Sequence, residues 1–449
     1  MSLPTINFSG LATGIDTGAL IDALVKVERR PIDLLEFQMG NLEFKLSLFN
    51  DLNSKLAALK TAAGKLSTSA SFFVKKASSS DDSVVSATAG SNASAGSHSI
   101  TVTSLAQAAT QASTGFSSPT SNIRQGTLNI TVGTTTTPIT IDGTNNTLDG
   151  LKNAINASGA AVTASIVQVD ATTYRLVVTG KNTGTANAVT IDESGLTTGS
   201  DPLPGFTVTQ AATNAVLDVD GIVGINRSTN TVSDVITGVT LDLKSLSAAP
   251  VQVAITNDTT AIKTQVNDFV KAYNDVMSFI HEQTKYDSKS KSGAPLIADS
   301  TTQSTQGILR MALGTMVAGN PASLADLGFT TNTDNTITVD DAKLTDALAN
   351  NAAGVSNLFI DATNGVAVKL AASVDSLTAP SSGILTARIK GTQDSINDIE
   401  DNIAEKEDRL DQFAQALVRR FSVLEALVAK LKAQQDYLTK QLASLPQIT

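Results

Sequence analysis

Ile389, Ile396, Ile403, Leu410, Leu417, Leu424, Leu431, Leu438 and Leu445 stand seven residues apart without a break. That spacing is close to two helical turns, so all of them fall on one side of a helix, and the stripe must be covered by another helix. Ile399, Phe413 and Leu427 occupy the companion positions three residues later. Thr392, Lys406, Arg420, Gln434 and Gln441 fill the remaining ones with polar groups. A seam of alternating apolar and polar companions predicts a coiled coil of limited stability, able to bind and rearrange.

The only comparable pattern lies at the other end of the chain. Asp16 or Thr17 can cap a first helix, in which Leu20, Ile21, Leu24, Val25 and Val27 share a face. Pro31 lacks an amide donor and restricts Arg30, so this helix is expected to stop there. A second helix is expected from about Ile32 to Leu66. Its seven-residue row is Leu35, Leu42, Phe49, Leu56 and Ala63, joined later by Leu52, Leu59 and Leu66. Gln38 and Lys45 weaken its first half.

Between these ends the chemistry changes to Thr, Ser, Gly, Ala and Asn, after a boundary at Lys75–Asp82. The apolar period becomes two. Leu128, Ile130 and Val132 alternate with polar residues, as do Val162, Ala164 and Ile166, then Leu217 and Val219, then Leu241 and Leu243. One short helix is expected at Leu148–Ile155. Helical spacing returns from about Thr260 through Ile280, and a helix-rich region runs to Ala379, where Pro380–Gly383 precedes the last helix. The fold class is therefore α+β and multidomain. Terminal helices pair into a coiled-coil or helical-bundle stalk, and a β-rich head of two small domains lies between them in sequence.

Composition removes several functions. The net charge is -10 with pI about 4.8, the reverse of what a phosphate-binding protein needs, so neither nucleic acid nor an anionic membrane is an expected partner. Aromatics make up 4% and Trp is absent, which leaves few stacking platforms for bases or sugars. There are no cysteines and only His98 and His281, so thiolate sites, histidine zinc sites and Ser-His-Asp triads lack raw material. No catalytic, cofactor-binding or metal-binding residue is assigned, and no cofactor is expected. Met1–Gly14 lacks the basic and apolar regions of a secretory signal, and no stretch of 18 apolar residues is present.

Remaining motifs have ordinary readings. Asp218–Gly221 has two carboxylates near a glycine but none of the further ligands of a calcium loop, and reads as a hairpin turn. Asp340 and Asp341 are adjacent, so their side chains point apart and no acid/base pair forms. His98 reads as a satisfied surface residue and His281 as helix surface. Thr134–Thr137 reads as a loop, with glycan attachment as the alternative.

Longer strings carry a resemblance. Phe8–Thr17, Leu24 and Glu28–Ile32, then Lys75–Asp81, Ala95–Val102 and Leu105–Ala108, resemble the N-terminal half of the FliD family of flagellar filament caps. Gly126–Ile130, Ala154–Asn156, Val162–Ile166 and Arg175–Gly180 are similar to a β module shared with flagellins. Phe269–Asp275, Pro295–Ser300, Leu324–Phe329 and Arg420–Glu425 resemble the family's C-terminal half, Tyr273–Asp275 being read as helix packing and capping. The match spans nearly the whole chain in order. It departs at Asn335–Asp340, where the family has a Gly-Lys-Leu lead-in, and a turn is put in question there.

The resemblance implies a non-enzymatic cap at the distal tip of the flagellum, exported through the flagellar type III secretion channel without a cleaved signal. It would retain exported flagellin and promote its folding and polymerisation, as filament elongation and motility require. Implied partners are further copies of the chain in a ring, commonly of five, flagellin, hook–filament junction proteins and a flagellar export chaperone. No membrane insertion is implied. The expected division is a leg from residues 1–40 and 410–449, a helical stalk from 41–77 and 260–409, an inner head domain from 78–112 and 205–259, and an outer head domain from 113–204. Leg and coiled-coil contacts are expected at Leu35, Leu42, Phe49, Leu56, Leu410, Leu417, Leu424, Leu431 and Leu438. Those up to Leu410 are expected within one subunit, and those from Leu417 onward against other subunits or flagellin. An adhesin whose head binds host mucin or glycans is the competing reading.

Overall fold

A computed structural model describes residue 14 and residues 16–289 and 291–443. Phe8–Thr13 and Ile15 of the opening motif, and Leu445 of the heptad row, lie outside the described residues.

Helix α1 (Thr17–Lys65) and the single turn α2 (Ser69–Phe72) come first. Strands β1 (Lys75–Ser79), β2 (Val85–Ala89), β3 (Gly96–Ser104), β4 (Thr110–Ala112), β5 (Gly126–Val132) and β6 (Thr135–Ile141) precede α3 (Leu148–Ala157). Then come β7 (Val162–Gln168), β8 (Tyr174–Gly180), β9 (Val189–Asp192), β10 (Thr207–Gln210) and β11 (Ala215–Val219). These are followed by β12 (Ile222–Arg227), β13 (Thr231–Ile236), β14 (Val239–Leu243) and β15 (Val251–Asn257). Helix α4 (Thr259–Thr284) leads to β16 (Tyr286–Asp287), β17 (Ser292–Gly293), α5 (Ser300–Leu313), β18 (Phe329–Thr331) and β19 (Ile337–Val339). Helices α6 (Asp341–Ile360), α7 (Val366–Thr378) and α8 (Ile384–Ala443) close the chain. Two compact units result, 1–67 with 265–449, and 68–264. The architecture is the expected mixture of terminal helices and a central β-rich region.

In the first unit α1 is capped by Asp16, whose carboxylate accepts the Ala19 N–H at 2.9 Å. The expected stop at Pro31 does not occur, because α1 runs helically through it. Proline inside a helix costs about 3 kcal/mol through the lost bond and ring clash. Two local features offset it: Ile32 is buried, and the Arg29 guanidinium reaches across the proline to Asp33 at 3.1 Å and Glu36 at 2.9 Å. From Leu48 the buried face broadens to include Phe49, Leu52, Leu56, Leu59, Ala63 and Leu66, because α1 packs on both α7 and α8. Phe269 of α4 meets Phe359 of α6 edge-on at 6.2 Å. Arg388 of α8 lies 5.5 Å over the Phe49 ring and pairs with Asp299, the cap of α5, at 3.1 Å.

The second unit holds two hydrophobic cores. One lies among the strands β1-β15-β3-β11-β12 and β13-β14-β2, and buries Ile100, Val102, Leu217, Val219, Leu241, Leu243 and Val253. The other lies among β10-β4-β8-β7, β6-β5-β9 and α3, and buries Leu128, Ile130, Leu148, Leu151, Ile155, Val162, Leu176 and Val178. Each fully buried aliphatic side chain contributes about 1.5–3 kcal/mol, which is why the two-residue alternation shows through so clearly. Gly126 (φ 137°) cannot be replaced cheaply, since a Cβ there would stand 2.1 Å from the Gly195 carbonyl oxygen. The turn in question at Asn335 is intact. Asn335 takes φ 67° between β18 and β19, a left-handed conformation that asparagine tolerates as glycine does.

Candidate functional site

The α1–α8 seam is the most extended feature of the first unit. On α1, Ile32, Leu35, Met39, Leu42, Leu46 and Phe49 alternate spacings of three and four, and all are buried or half-buried. Met39 and Leu46 take up the seam where Gln38 and Lys45 suggested a weakness, with Gln38 itself exposed. Reading three residues back from each leucine, as well as forward, finds this row in the sequence. On α8 the matching set is Ile389, Thr392, Ile396, Ile399, Ile403, Lys406, Leu410, Phe413 and Leu417. Thr392 is buried, and its hydroxyl donates to the Arg388 carbonyl at 2.8 Å, so the polar position is satisfied within its own helix.

Burial along α8 then falls away. Leu410 and Leu417 are each 9% exposed, whereas Leu424, Leu431 and Leu438 are 46%, 55% and 59% exposed. Val423, Leu427, Tyr437 and Leu442 are exposed beside them, while Arg420 and Gln434 are exposed polar neighbours. Phe49 and Leu56 on α1 are completely buried, Leu35 and Leu42 half-buried. The nine positions singled out in the sequence therefore split by environment. The inner six line the helical core, and the outer three project from a helix with little packed against it. Covering a half-exposed leucine contributes roughly 1 kcal/mol, so this stretch of α8 can gain several kcal/mol from a partner.

In the second unit, Asp220 and Gly221 form the two-residue turn between β11 and β12, with φ 53° and 82°. Both positive angles mark the hairpin turn that Asp-Gly favours, so the carboxylates serve the turn and not a calcium loop. The Asp220 carboxylate accepts the Ser99 N–H at 2.8 Å and meets His98 Nδ1 at 2.7 Å. These bonds, the backbone one first, hold its carboxyl below the usual range. Asp218 accepts the Gly224 N–H at 2.8 Å. Beside the turn is a partly open cavity of about 350 Å³, lined by Val219, Ile222, Ile225, Val235, Ile236 and His98. Its lining is that of an apolar recess with one histidine–carboxylate pair and the hydroxyls of Ser94 and Thr237. Among the described residues no group of three or more His, Asp or Glu could hold a metal ion.

Asp220→Ala should cost about 1–2 kcal/mol through the unpaired Ser99 amide. A depressed carboxyl stabilises above its unfolded value and loses that contribution as pH falls through its folded one. The wild-type advantage over Asp220→Ala should therefore be full at neutral pH and shrink in acid, read by urea unfolding at each pH.

Other candidates find structural roles. Asp340 caps α6 by accepting the Ala342 and Lys343 amides at 3.0 and 3.2 Å, a role its neighbour in the sequence pattern obscured. His281 is exposed on the last turn of α4. Tyr273 is buried as packing. Asn274 does not cap: it clamps a strand, donating to the Ile337 carbonyl and accepting the Ile337 N–H, both at 2.7 Å. Asn156 treats Ala164 of β7 the same way, both bonds being 2.8 Å. Neither asparagine is legible as a clamp: the partner of Asn274 is 63 residues away, and that of Asn156, 8 residues away, comes within reach only once α3 folds back on β7.

Residues 13–109 match the family model for the flagellar hook-associated protein 2 N-terminus, and residues 212–433 that for its C-terminus. Residues 127–182 match the flagellin hook IN motif. The chain is 32% identical to flagellar hook-associated protein 2 of Escherichia coli strain K12, over 98% of each chain. It is 31% identical to the B-type flagellar hook-associated protein 2 of Pseudomonas aeruginosa PAO1, again over 98% of each. The crystal structure of the D1-D2-D3 domains of the flagellar cap protein FliD from Escherichia coli superposes with a TM-score of 0.61 at 32% identity, covering 77% of this chain and 99% of that one.

Proposed function

The chain belongs to the flagellar hook-associated protein 2 (FliD) family of flagellar filament caps, and on that premise we propose that it retains exported flagellin at the filament tip and promotes its folding and polymerisation. The observation that carries this reading is the change along α8, from a buried seam through Leu417 to exposed leucines at 424, 431 and 438. A helix anchored at one end and apolar at the other is suited to a leg that grips neighbouring subunits and lets go. Leu42, Phe49 and Leu56 hold the stalk in this reading, Leu35, Leu410 and Leu417 anchor the leg to it (Leu417 being buried within the chain, against the expectation that it meets another subunit), and the outer leucines meet flagellin or another copy.

The division into leg, stalk, inner head and outer head, at the boundaries expected from the sequence, belongs to the same proposal, supported by the two separate cores of the β-rich unit. So do a ring of about five copies, export unfolded through the flagellar channel with a chaperone, and contact with the hook–filament junction proteins. A chain without cysteines has no disulfides to undo before passing a narrow channel unfolded.

The test is a strain lacking the gene, complemented with the full chain or with one truncated after Leu410. Hooks without filaments, flagellin lost to the medium, and rescue by the full chain alone are the expected results. Normal filaments in the deletion strain would overturn the cap and favour a surface adhesin for mucin or glycans, a role a tip protein is also placed to share.

A further inference from the structure

We infer that the Arg29–Asp33–Glu36 cluster is an electrostatic splint across a built-in hinge at Pro31, setting whether the N-terminal arm of α1 continues the helix or swings from it. Proline has no N–H to give the Val27 carbonyl, so one of the backbone bonds that join the arm to the rest of α1 is missing at this point. Arg29, just before the proline, reaches both Asp33 and Glu36 on the far side, at 3.1 and 2.9 Å. Those side chains add a polar link across the turn that the proline weakens. On the arm's side packing is partial, with Thr17 buried and Ile21 and Val25 half-buried. Between Thr17 and Leu48 of α1, Ile32 is the buried residue, and it lies beyond the proline. Leu20, Leu24 and Val27 of the arm are exposed.

The three charged side chains are about half exposed, so salt weakens the splint, and an approaching carboxylate or cation can compete for its partners. With the pairs lost, the hinge has only the remaining backbone bonds of that turn to break, while the rest of α1, buried from Leu48 onward, stays in place. Use of this motion by a leg rests on the function proposed above. The splint itself is a property of α1, and its test needs no filament.

Hydrogen exchange of the full chain supplies the test, with Asp33→Asn/Glu36→Gln, Pro31→Ala and the triple variant compared with wild type. Opening the splint should speed exchange of amides 18–30 by about tenfold and leave amides 48–63 unchanged. Wild type in 0.5 M salt should show the same rise. Pro31→Ala restores the missing bond, so it should slow exchange in the arm and abolish the effect of both the charge substitutions and salt. Equal exchange in wild type and Asp33→Asn/Glu36→Gln would overturn the inference. So would an undiminished effect of those substitutions in the Pro31→Ala background, which would make them ordinary helix-surface pairs.

Discussion

Replacing Leu424, Leu431 and Leu438 together by Gln is expected to abolish filament growth while leaving the folded chain as stable as the parent. All three are about half exposed, and Gln is a good helix former, so each substitution should change stability by less than about 0.5 kcal/mol. Their contribution to a contact is larger. Covering three half-exposed leucines contributes roughly 3–4 kcal/mol, or two to three powers of ten in leg occupancy. The measurement pairs a thermal melt of the purified variant with electron microscopy of cells in which it replaces the wild-type protein. An unchanged melt with bare hooks supports the leg. Full-length filaments would sink the leg assignment, and a collapsed melt would mean that α8 beyond Leu417 is packed more firmly than its exposure indicates.

The same contrast separates the parts of the molecule that a sequence reveals from those it hides. A seven-residue row on α8 and a two-residue alternation in β5, β7, β11 and β14 are local patterns that report burial directly, and burial of apolar surface is the main force driving folding. Asp220-Gly221 was legible because its turn needs only two adjacent backbone angles. Pro31 was not. Its local cost is real, but it is offset by the burial of Ile32 and by ion pairs whose geometry exists only once the helix has formed. The row Ile32, Met39, Leu46 was hidden by a choice of register, the polar neighbours Gln38 and Lys45 drawing the eye away from apolar residues one position on. The outer leucines of α8 could be found as a pattern, but the pattern says nothing of where the covering helix ends.

The asparagine clamps are the features furthest from sequence reading, and Asn274 carries the second large effect. The motif Tyr273-Asn274-Asp275 contains three different jobs. Tyr273 is buried, and burial pushes its hydroxyl well above the usual range. Asp275 makes an exposed pair with Lys271, worth less than about 1 kcal/mol. Asn274 alone satisfies both backbone groups of Ile337, a buried residue on β19. Asn274→Ala leaves a donor and an acceptor unpaired, at about 1–3 kcal/mol each, so the helical unit should lose roughly 2–5 kcal/mol. Asp275→Asn should lose almost nothing.

Asn274→Asp discriminates further. An ionised carboxylate still accepts the Ile337 N–H but faces the Ile337 carbonyl with like charge, whereas a protonated one can donate to it. The folded-state pKa of the new Asp should therefore be raised. Its stabilising contribution would be present below the unfolded value of about 3.9 and lost as pH rises through the folded one. The destabilisation of Asn274→Asp relative to wild type should accordingly be smaller near pH 4 than at pH 7, while that of Asn274→Ala stays constant. Calorimetry at the two pH values reads both. A pH-independent deficit in Asn274→Asp would mean that the side chain fills space between α4 and β19 without clamping the strand, and the same doubt would then attach to Asn156 on α3.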